Sequence, residues 1–524
     1  MNGKIVLILI IVLSLTSSTI AGAYQISKNE TTLKETDDII SAESGTIDIA
    51  VASWYYGYDD VTVYYGEGNG NFPIRHRYSP GSSPHEIVTY DFNSDGNLDM
   101  AVTNEYSNSV SVLLGDGKGE FLRINSRTGP DPTDIVLGHF NNDSFIDLAV
   151  ATTSTTNSYV DILIGEGTGR FLKAGYTTFP GIATCLAAGN FNNDAYTDLI
   201  FTHKLPDGSR VLFGTGDGNF IKGQNLGGLQ SCLAGDLNND QNDDIIVGNG
   251  GSFSVYLGNG TEQFELISTV TEGSSEFMTL GDFNADGYLD IASASSNYGW
   301  GSPSEVFVYS NNGDGNYTYV GKVGSKQGNL MDIETADINN DQKLDIVASV
   351  TDFAFSESRI VIFKGKGNCD FETKEELSQI NAQSIGIAIG NFGEVGLNQK
   401  PSLPTIEGPE SGNPGEVTDF TFSVDDPEND YVEFEIEWGD GENETTDYCG
   451  GSIDEWHNWN DKGTYTVRIR ATDYNGGQSD WNSTEIIMPK TRSLNFRTWI
   501  HSLFIRNFIK SYNSFPFFFS FNIF

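Results

Sequence analysis

Residues 91–99 read Asp91-Phe92-Asn93-Ser94-Asp95-Gly96-Asn97-Leu98-Asp99, and this Asp-x-Asn-x-Asp-x-x-x-Asp pattern recurs along the chain. Close copies begin at Asp236, Asp282 and Asp337, and variants begin at His139 and Asn190. The last Asp of each copy leads directly into a short apolar segment, as in Asp99-Met100-Ala101-Val102. The pattern therefore predicts a polar loop that closes immediately before a buried strand.

The acidic residues at positions 1, 5 and 9 are predicted to converge when the loop closes. Two unit charges about 4 Å apart repel by roughly 4 kcal/mol at an effective dielectric constant of about 20, so a divalent cation would stabilise the closed loop. Calcium is the expected ion because it takes six to eight oxygen ligands in flexible geometry, including a backbone carbonyl at position 7. Asp, Asn and Gly are also ordinary turn residues, and that reading stays open for any single copy.

The predicted metal ligands fall into four close copies and two variants. The close copies supply Asp91, Asn93, Asp95, Asn97 and Asp99; Asp236, Asn238, Asp240 and Asp244; Asp282, Asn284, Asp286 and Asp290; and Asp337, Asn339, Asp341 and Asp345. The variants supply Asn141, Asp143 and Asp147, and Asn190, Asn192, Asp194 and Asp198. His139 replaces the first Asp and is a poor calcium ligand, so we expect its loop to be the weakest or empty.

The loops belong to a longer repeat. An Asp followed by an apolar strand occurs at positions 48, 99, 147, 198, 244, 290 and 345, at intervals of 46 to 55 residues. Each is followed by a second strand, a glycine-rich turn and an aromatic residue, as in Gly115 to Phe121. Seven periods of about four strands predict an all-β, seven-bladed β-propeller. The series starts and stops in mid-unit, so residues 46–53 and 384–391 are expected to share one blade.

These units resemble FG-GAP/VCBS repeats, the blade unit also found in the integrin α-subunit propeller, over residues 45–395. The resemblance implies that the Asp loops bind calcium structurally and that ligand recognition lies on a different face of the propeller. Residues 405–488 resemble a PKD domain, an immunoglobulin-like sandwich common in microbial and archaeal surface proteins. That match is carried by Asp425-Asp426-Pro427, Trp438-Gly439-Asp440-Gly441, Trp459, Gly463-Thr464-Tyr465 and Ala471-Thr472-Asp473.

The remaining segments predict a secreted protein. Residues 1–23 have the charged, apolar and small-residue order of a signal peptide, with an uncleaved anchor as the alternative. Residues 24–44 are expected to form a flexible arm and residues 396–404 a linker. Residues 489–524 form a basic, aromatic tail, for which the hypotheses are envelope or membrane retention and a disordered end. The net charge of −43 argues against nucleic acid as a partner.

The function expected from these features is binding or adhesion to an extracellular protein or glycan. Candidate contacts are the aromatic side chains of Trp54, Tyr55, Tyr56, Tyr58, Tyr298 and Trp300, with packing between blades as the alternative. No catalytic set is visible, because the histidines are scattered at positions 76, 85, 139, 203, 457 and 501. A calcium-dependent polysaccharide lyase or hydrolase and a surface-layer subunit remain alternatives. Cys185 and Cys232 are expected to be buried free thiols.

Overall fold

The structure is a computed structural model that describes residues 46–54, 59–204, 208–295, 303–352, 357–379, 383–393, 399–427, 431–446, 449–473 and 476–489. The chain forms two compact units that divide between Leu397 and Asn398, within the segment expected to be a linker. All regular elements of these described ranges are β-strands. The same ranges contain no helix with the length and hydropathy needed to cross a bilayer. The predicted signal peptide, the N-terminal arm and residues 490–524 of the tail lie outside the described residues.

The described residues of the first unit form twenty-eight strands. The first fourteen are β1 (Asp48–Trp54), β2 (Asp60–Tyr65), β3 (Ile74–Tyr78), β4 (Pro84–Tyr90), β5 (Asp99–Asn104), β6 (Ser109–Gly115), β7 (Phe121–Arg127), β8 (Pro132–Gly138), β9 (Asp147–Thr153), β10 (Asn157–Gly165), β11 (Phe171–Pro180), β12 (Ala183–Gly189), β13 (Asp198–His203) and β14 (Ser209–Gly214). The others are β15 (Phe220–Asn225), β16 (Cys232–Gly235), β17 (Asp244–Gly248), β18 (Phe253–Gly258), β19 (Phe264–Val270), β20 (Phe277–Gly281), β21 (Asp290–Ser295), β22 (Pro303–Asn311), β23 (Tyr317–Gln327), β24 (Asn329–Ala336), β25 (Asp345–Asp352), β26 (Glu357–Gly365), β27 (Phe371–Gln379) and β28 (Gln383–Gly390).

These strands form seven antiparallel four-stranded sheets. Sheet 1 has the order β28-β1-β2-β3, and sheets 2 to 7 take the following strands four at a time, from β4–β7 to β24–β27. The first strands of the sheets, β28, β4, β8, β12, β16, β20 and β24, contact one another in that order, and β24 contacts β28. The sheets therefore stand in a closed ring around their first strands, which is the arrangement of a β-propeller.

Sheet 1 closes the ring with strands from both ends of the repeat region. In the antiparallel pair of β1 and β28, Asp48 lies opposite Gly390 and Ala50 lies opposite Ala388. The prediction that residues 46–53 and 384–391 share one sheet is confirmed. Closure removes the two unpaired edges that an open array of sheets would expose.

Each pair of neighbouring sheets shares one hydrophobic cluster. The cluster between sheets 7 and 1, for example, joins Ile49 and Val51 of β1 to Val347 of β25 and Ile360 of β26. The second strand of a sheet is covered on both faces, and all six residues of β5 are buried. The fourth strand lies at the outer rim, and four of the seven residues of β7 are exposed. This difference explains why the segments after each final Asp are almost continuously apolar.

The second unit is a sandwich of two antiparallel sheets, β29-β30-β33 and β32-β31-β34-β35. Its strands are β29 (Thr405–Glu407), β30 (Val417–Ser423), β31 (Val432–Glu437), β32 (Asn443–Thr445), β33 (Ser452–Asn458), β34 (Gly463–Asp473) and β35 (Asn482–Met488). Trp438 and Trp459 fill its core, as predicted, and the Trp459 indole donates to the Trp438 carbonyl at 3.1 Å. Gly439 has a φ of 81°, and a Cβ there would lie 2.6 Å from the Thr466 carbonyl oxygen. The turn therefore requires glycine at this position.

Candidate metal sites

The Asp loops all join the first strand of a sheet to the second. In an antiparallel sheet, the connections between first and second strands and between third and fourth strands lie at the same end. The Asp loops therefore share one face of the ring with the glycine-rich turns, and we call this the loop face. The connections from second to third strand, and from each sheet to the next, lie on the opposite face.

The final Asp of each repeat accepts backbone amides, a structural role that was not foreseen from the sequence. Its carboxylate is buried, and one oxygen accepts a hydrogen bond of 2.7–2.9 Å from a backbone amide at the end of the third strand of its own sheet. In the Asp99 repeat the donor is Gly115, and the other oxygen accepts from Phe92 at position 2 of the loop, at 2.8 Å. We call this arrangement the carboxylate clamp. Both hydrogen bonds occur at Asp48, Asp99, Asp147, Asp198, Asp244 and Asp290. At Asp345 the first is kept, and the second oxygen accepts from the Asn339 side chain.

The loop also connects its own sheet to the next. The ring of Phe92 packs edge-on against Phe171 of sheet 3, with centroids 5.4 Å apart, and its carbonyl accepts from the Gly169 amide at 3.2 Å. Phe140 and Phe220, Phe191 and Phe264, and Phe283 and Phe371 repeat the ring contact. An Asp loop that holds its shape therefore stabilises the contact between two sheets.

Three loops, beginning at Asp91, Asp236 and Asp282, fold in the same way. In the third, the Asp282 carboxylate accepts the backbone amides of Asp286 at 3.0 Å and Gly287 at 2.8 Å. The Asn284 side-chain oxygen also accepts the Asp286 amide, at 2.9 Å. The Asp286 carboxylate accepts the Tyr288 amide at 2.9 Å. The oxygens at positions 1, 3 and 5 are thus held on the inner side of one tight loop.

The backbone of these three loops is left-handed at positions 4 and 6. Position 4 has a φ of 59° in each loop, at Ser94, Asn239 and Ala285. Position 6 has a φ of 72° at Gln241, where the other two loops have glycine. Left-handed conformations are costly for residues other than glycine, so the carboxylate hydrogen bonds must hold the loop against this strain.

The loop at Asp337 departs from the other three close copies. Asp341 at position 5 lies 3.4 Å from the Lys364 ammonium and 4.0 Å from that of Lys343. Asn339 turns its amide to the final carboxylate, Asp345, at 2.6 Å instead of accepting the position-5 amide. Lysine already supplies positive charge here, so this loop needs a metal ion less than the others do.

In each of the two variant loops, the side chain at position 1 contacts a backbone carbonyl of its own loop. The imidazole Nδ1 of His139 lies 3.1 Å from the carbonyl oxygen of Phe145, the position-7 carbonyl predicted as a ligand. The Asn190 amide donates to the carbonyl of Asp194 at 2.8 Å. Neither loop has a left-handed residue at position 6. As in the uniform loops, the oxygens of Asn141, Asp143, Asn192 and Asp194 accept neighbouring amides within their loops.

A cation at an Asp loop would need neutral oxygen ligands as well as charged side chains. Within the described ranges, no three His, Cys, Asp or Glu side chains are grouped so that they could hold a metal ion. A site would therefore need the Asn oxygen at position 3, backbone carbonyls and water beside the carboxylates, a mixture that calcium accepts. Burial raises the pKa of Asp99 to about 7, and the carboxylates of Asp91 and Asp95 add to this rise. The acidic groups of the loop therefore lie close enough to repel one another.

A second acidic group was not foreseen from the sequence. Glu86 of β4, Asp134 of β8, and Asp332 and Glu334 of β24 lie on first strands of the ring. Burial raises the pKa of Glu86 well above its usual range, and repulsion from the other three raises it further. Side chains on strands that are not neighbours interact here, so they face the centre of the ring. We call this group the central carboxylates, and all four are half-buried.

Glu334→Gln is expected to change how stability depends on pH. Burial, with repulsion from Asp332, raises the pKa of Glu334 from 4.5 to about 8 in the folded protein. Between these pH values the unfolded chain loses the proton and the folded protein keeps it, so stability falls as pH rises. Thermal melts should show the variant more stable than the native protein at pH 8, by up to about 4 kcal/mol, and equal to it near pH 4. The exposed Glu265→Gln serves as control, and equal melts at pH 8 would contradict the assignment.

The aromatic residues predicted to contact a ligand are only partly described. Tyr55, Tyr56, Tyr58, Tyr298 and Trp300 lie outside the described residues. Trp54 ends β1 at the opposite face and is half-buried. Its ring centroid lies 6.2 Å from that of Tyr106, which follows β5 and is 66% exposed. This pair joins sheets 1 and 2 and presents an aromatic surface on the face away from the Asp loops.

Comparison with known families agrees with the repeat and with the second unit. The FG-GAP-like repeat matches residues 43–102, 91–150, 236–293 and 282–348. The PKD domain matches residues 398–488. The unmatched residues between 151 and 235 include sheet 4 and most of sheet 3, which have the same strand order as the others. The structure therefore extends the repeat through the region of the variant loop at Asn190. No curated protein matches the chain.

Two solved structures have similar parts. One is the PKD domain of an M14-like peptidase from Thermoplasmatales archaeon SCGC AB-540-F20, at 38% identity over 18% of this chain and 100% of that chain, with a TM-score of 0.17. The other is the extracellular domain of a protein described as a hybrid two component system from B. thetaiotaomicron. It is 12% identical, with 85% of this chain and 62% of that chain covered and a TM-score of 0.35. The chain belongs to the proteins that carry FG-GAP-like repeats followed by a PKD domain.

Proposed function

We propose that this chain is an extracellular binding or adhesion protein whose ring is stabilised by calcium and whose opposite face binds a glycan or protein. The observation that supports it best is the difference in side chains between the two faces of the ring. The loop face repeats one polar motif around the ring, while the opposite face carries the half-buried Trp54 beside the exposed Tyr106. Aromatic rings of this kind suit sugar faces and the centres of protein interfaces.

Calcium would be held by the three uniform loops. The residues are Asp91, Asn93 and Asp95; Asp236, Asn238 and Asp240; and Asp282, Asn284 and Asp286, each set with the position-7 carbonyl. The ion would supply positive charge that offsets the repulsion among the loop carboxylates. Since each loop also packs on the next sheet, as Phe283 does on Phe371, binding would stiffen contacts between sheets. Its contribution to function is then indirect, through the rigidity of the ring.

The FG-GAP-like repeats and the PKD domain support an extracellular setting, and the predicted signal peptide agrees with it. Calcium is abundant outside cells, where loops of moderate affinity can stay filled. The PKD unit would act as a spacer or as a second binding module, and the basic tail would retain the protein at the envelope.

Deleting residues 491–524 should then move the protein from the cell fraction to the medium.

The experiment is a binding panel of immobilised glycans and surface proteins with the native protein, Tyr106→Ala and Tyr176→Ala. Tyr176 is 63% exposed but lies on β11 at the outer rim, so it is a matched control. We expect Tyr106→Ala to weaken binding about tenfold, the effect of losing roughly 1.4 kcal/mol, and Tyr176→Ala to leave binding unchanged. Equal binding by all three proteins would contradict the assigned face. Cleavage of a bound polysaccharide would replace the adhesion proposal with an enzymatic one centred on the ring opening.

A further inference from the structure

The sulfur atoms of Cys185 and Cys232 lie 2.8 Å apart. Non-bonded heavy atoms normally rest about 3.5–4.0 Å apart, and a disulfide bond holds two sulfurs about 2.05 Å apart. The Cys232 amide is also 3.1 Å from the Cys185 sulfur. The two side chains therefore point at each other. Both thiols are free in the structure, as expected; the expectation that both are buried is right for Cys232, whereas Cys185 is half-buried.

These cysteines lie where the ring has its shortest first strand. Cys185 is on β12 of sheet 4 and Cys232 begins β16 of sheet 5. β16 has four residues and pairs with β17 only from Cys232 to Gly235, whereas β12 has seven residues. A covalent link between β12 and β16 would fasten the innermost part of sheet 5 to its neighbour.

We propose that Cys185 and Cys232 form a disulfide bond that joins sheets 4 and 5 at the centre of the ring. The oxidant is a small-molecule disulfide such as oxidised glutathione. The first thiolate attacks the reagent and releases one reagent thiol, and the second thiolate then attacks the mixed disulfide and releases the other. Two cysteine thiols and one reagent disulfide give one protein disulfide and two reagent thiols, so two electrons and two protons pass to the reagent. Cys185 reacts with the reagent first, because it is half-buried whereas Cys232 is buried.

The bond would stabilise the folded ring by restricting the unfolded chain. It closes a loop between residues 47 positions apart, and loops of this size typically yield about 2–4 kcal/mol. The proposal is independent of the ligand and of calcium, because neither cysteine belongs to an Asp loop. The other two cysteines are internal controls: Cys369 lies 3.2 Å from the Asp290 carboxylate, and Cys449 is in the PKD unit.

The test counts thiols in the full chain after incubation with oxidised glutathione at alkaline pH and removal of the reagent. Thiols are titrated in denaturant, and peptides are mapped by mass spectrometry without reduction. We expect two free thiols and one linked peptide pair containing Cys185 and Cys232. The double variant Cys369→Ser/Cys449→Ser should have no free thiol and keep the link. Cys185→Ser should have three free thiols and lack it. Four free thiols in the native chain, or a link between other cysteines, would overturn the proposal.

A thermal melt provides a second measurement that does not depend on mapping. Reduction should lower the melting temperature of the oxidised native protein and leave that of Cys185→Ser unchanged. The two proteins should melt together once the native protein is reduced. An oxidised native protein that melts no higher than its reduced form would contradict the stabilising role of the bond.

Discussion

Chelation of calcium is expected to lower the melting temperature of the intact protein more than any single surface substitution would. A ligand that binds only the folded state stabilises it by about 2.7 kcal/mol per site when present at a hundredfold excess over its dissociation constant. With three loops filled, the total is on the order of 8 kcal/mol. Scanning calorimetry with calcium, with magnesium and with chelator measures the difference. Magnesium should restore little, because it prefers six ligands in a tight octahedron.

A matched pair of variants assigns this effect to the loops. Asp286→Asn changes position 5 of a uniform loop and should remove about one third of the calcium-dependent shift. Asp143→Asn changes position 5 of the variant loop, in which His139 lies 3.1 Å from the position-7 carbonyl. The calcium-dependent shift in melting temperature should therefore be unchanged in this variant. Equal loss in both variants, or equal melts with calcium and chelator, would contradict the assignment of the metal to the uniform loops.

Asp99→Ala is expected to be the most damaging single substitution in the ring. The carboxylate is fully buried and accepts the amides of Phe92 and Gly115, each at 2.8 Å. Removal leaves two buried donors without their acceptor, at roughly 1–3 kcal/mol each. The expected loss is about 3–5 kcal/mol of unfolding free energy, measured by denaturant titration in chelator so that no metal contributes.

Two further variants separate the carboxylate clamp from the loop charge. Asp99→Asn keeps one acceptor oxygen and should lose about half as much stability. Asp95→Ala removes an exposed carboxylate at position 5 of the same loop and should cost less than about 1 kcal/mol in chelator. An Asp99→Ala protein within about 1 kcal/mol of the native one would show that the clamp does not hold the sheets.

Local patterns in the sequence were sufficient to predict the repeat. The final Asp, the apolar second strand and the glycine-rich turn are consecutive, so they specify one four-stranded sheet. The repeat region begins at Asp48 with a second strand and ends at Gly390 with a first strand, so the two half-units predict closure of the ring. The tryptophans of the second unit were likewise predictable, since the Trp438 turn and Trp459 belong to one recognisable motif.

Contacts between distant residues could not be predicted in this way. The ammonium group of Lys364, on β26, lies 3.4 Å from the Asp341 carboxylate. Glu86 of β4 is repelled by Asp332 and Glu334 of β24. The clamp was missed for another reason: an Asp at position 9 fits both a metal ligand and an acceptor of backbone amides, and only the position of Gly115 distinguishes them. A repeated Asp that immediately precedes a fully apolar strand was the available signal, since a buried carboxylate needs hydrogen-bond donors.

The number of calcium ions bound per chain is the most decisive quantity for the proposal that calcium stabilises the ring. Equilibrium dialysis of the native protein should give three ions, held by the loops at Asp91, Asp236 and Asp282. Asp286→Asn should give two, and Asp143→Asn should again give three. No bound ion, or three ions in Asp286→Asn, would contradict the claim that these loops are calcium sites that stabilise the ring.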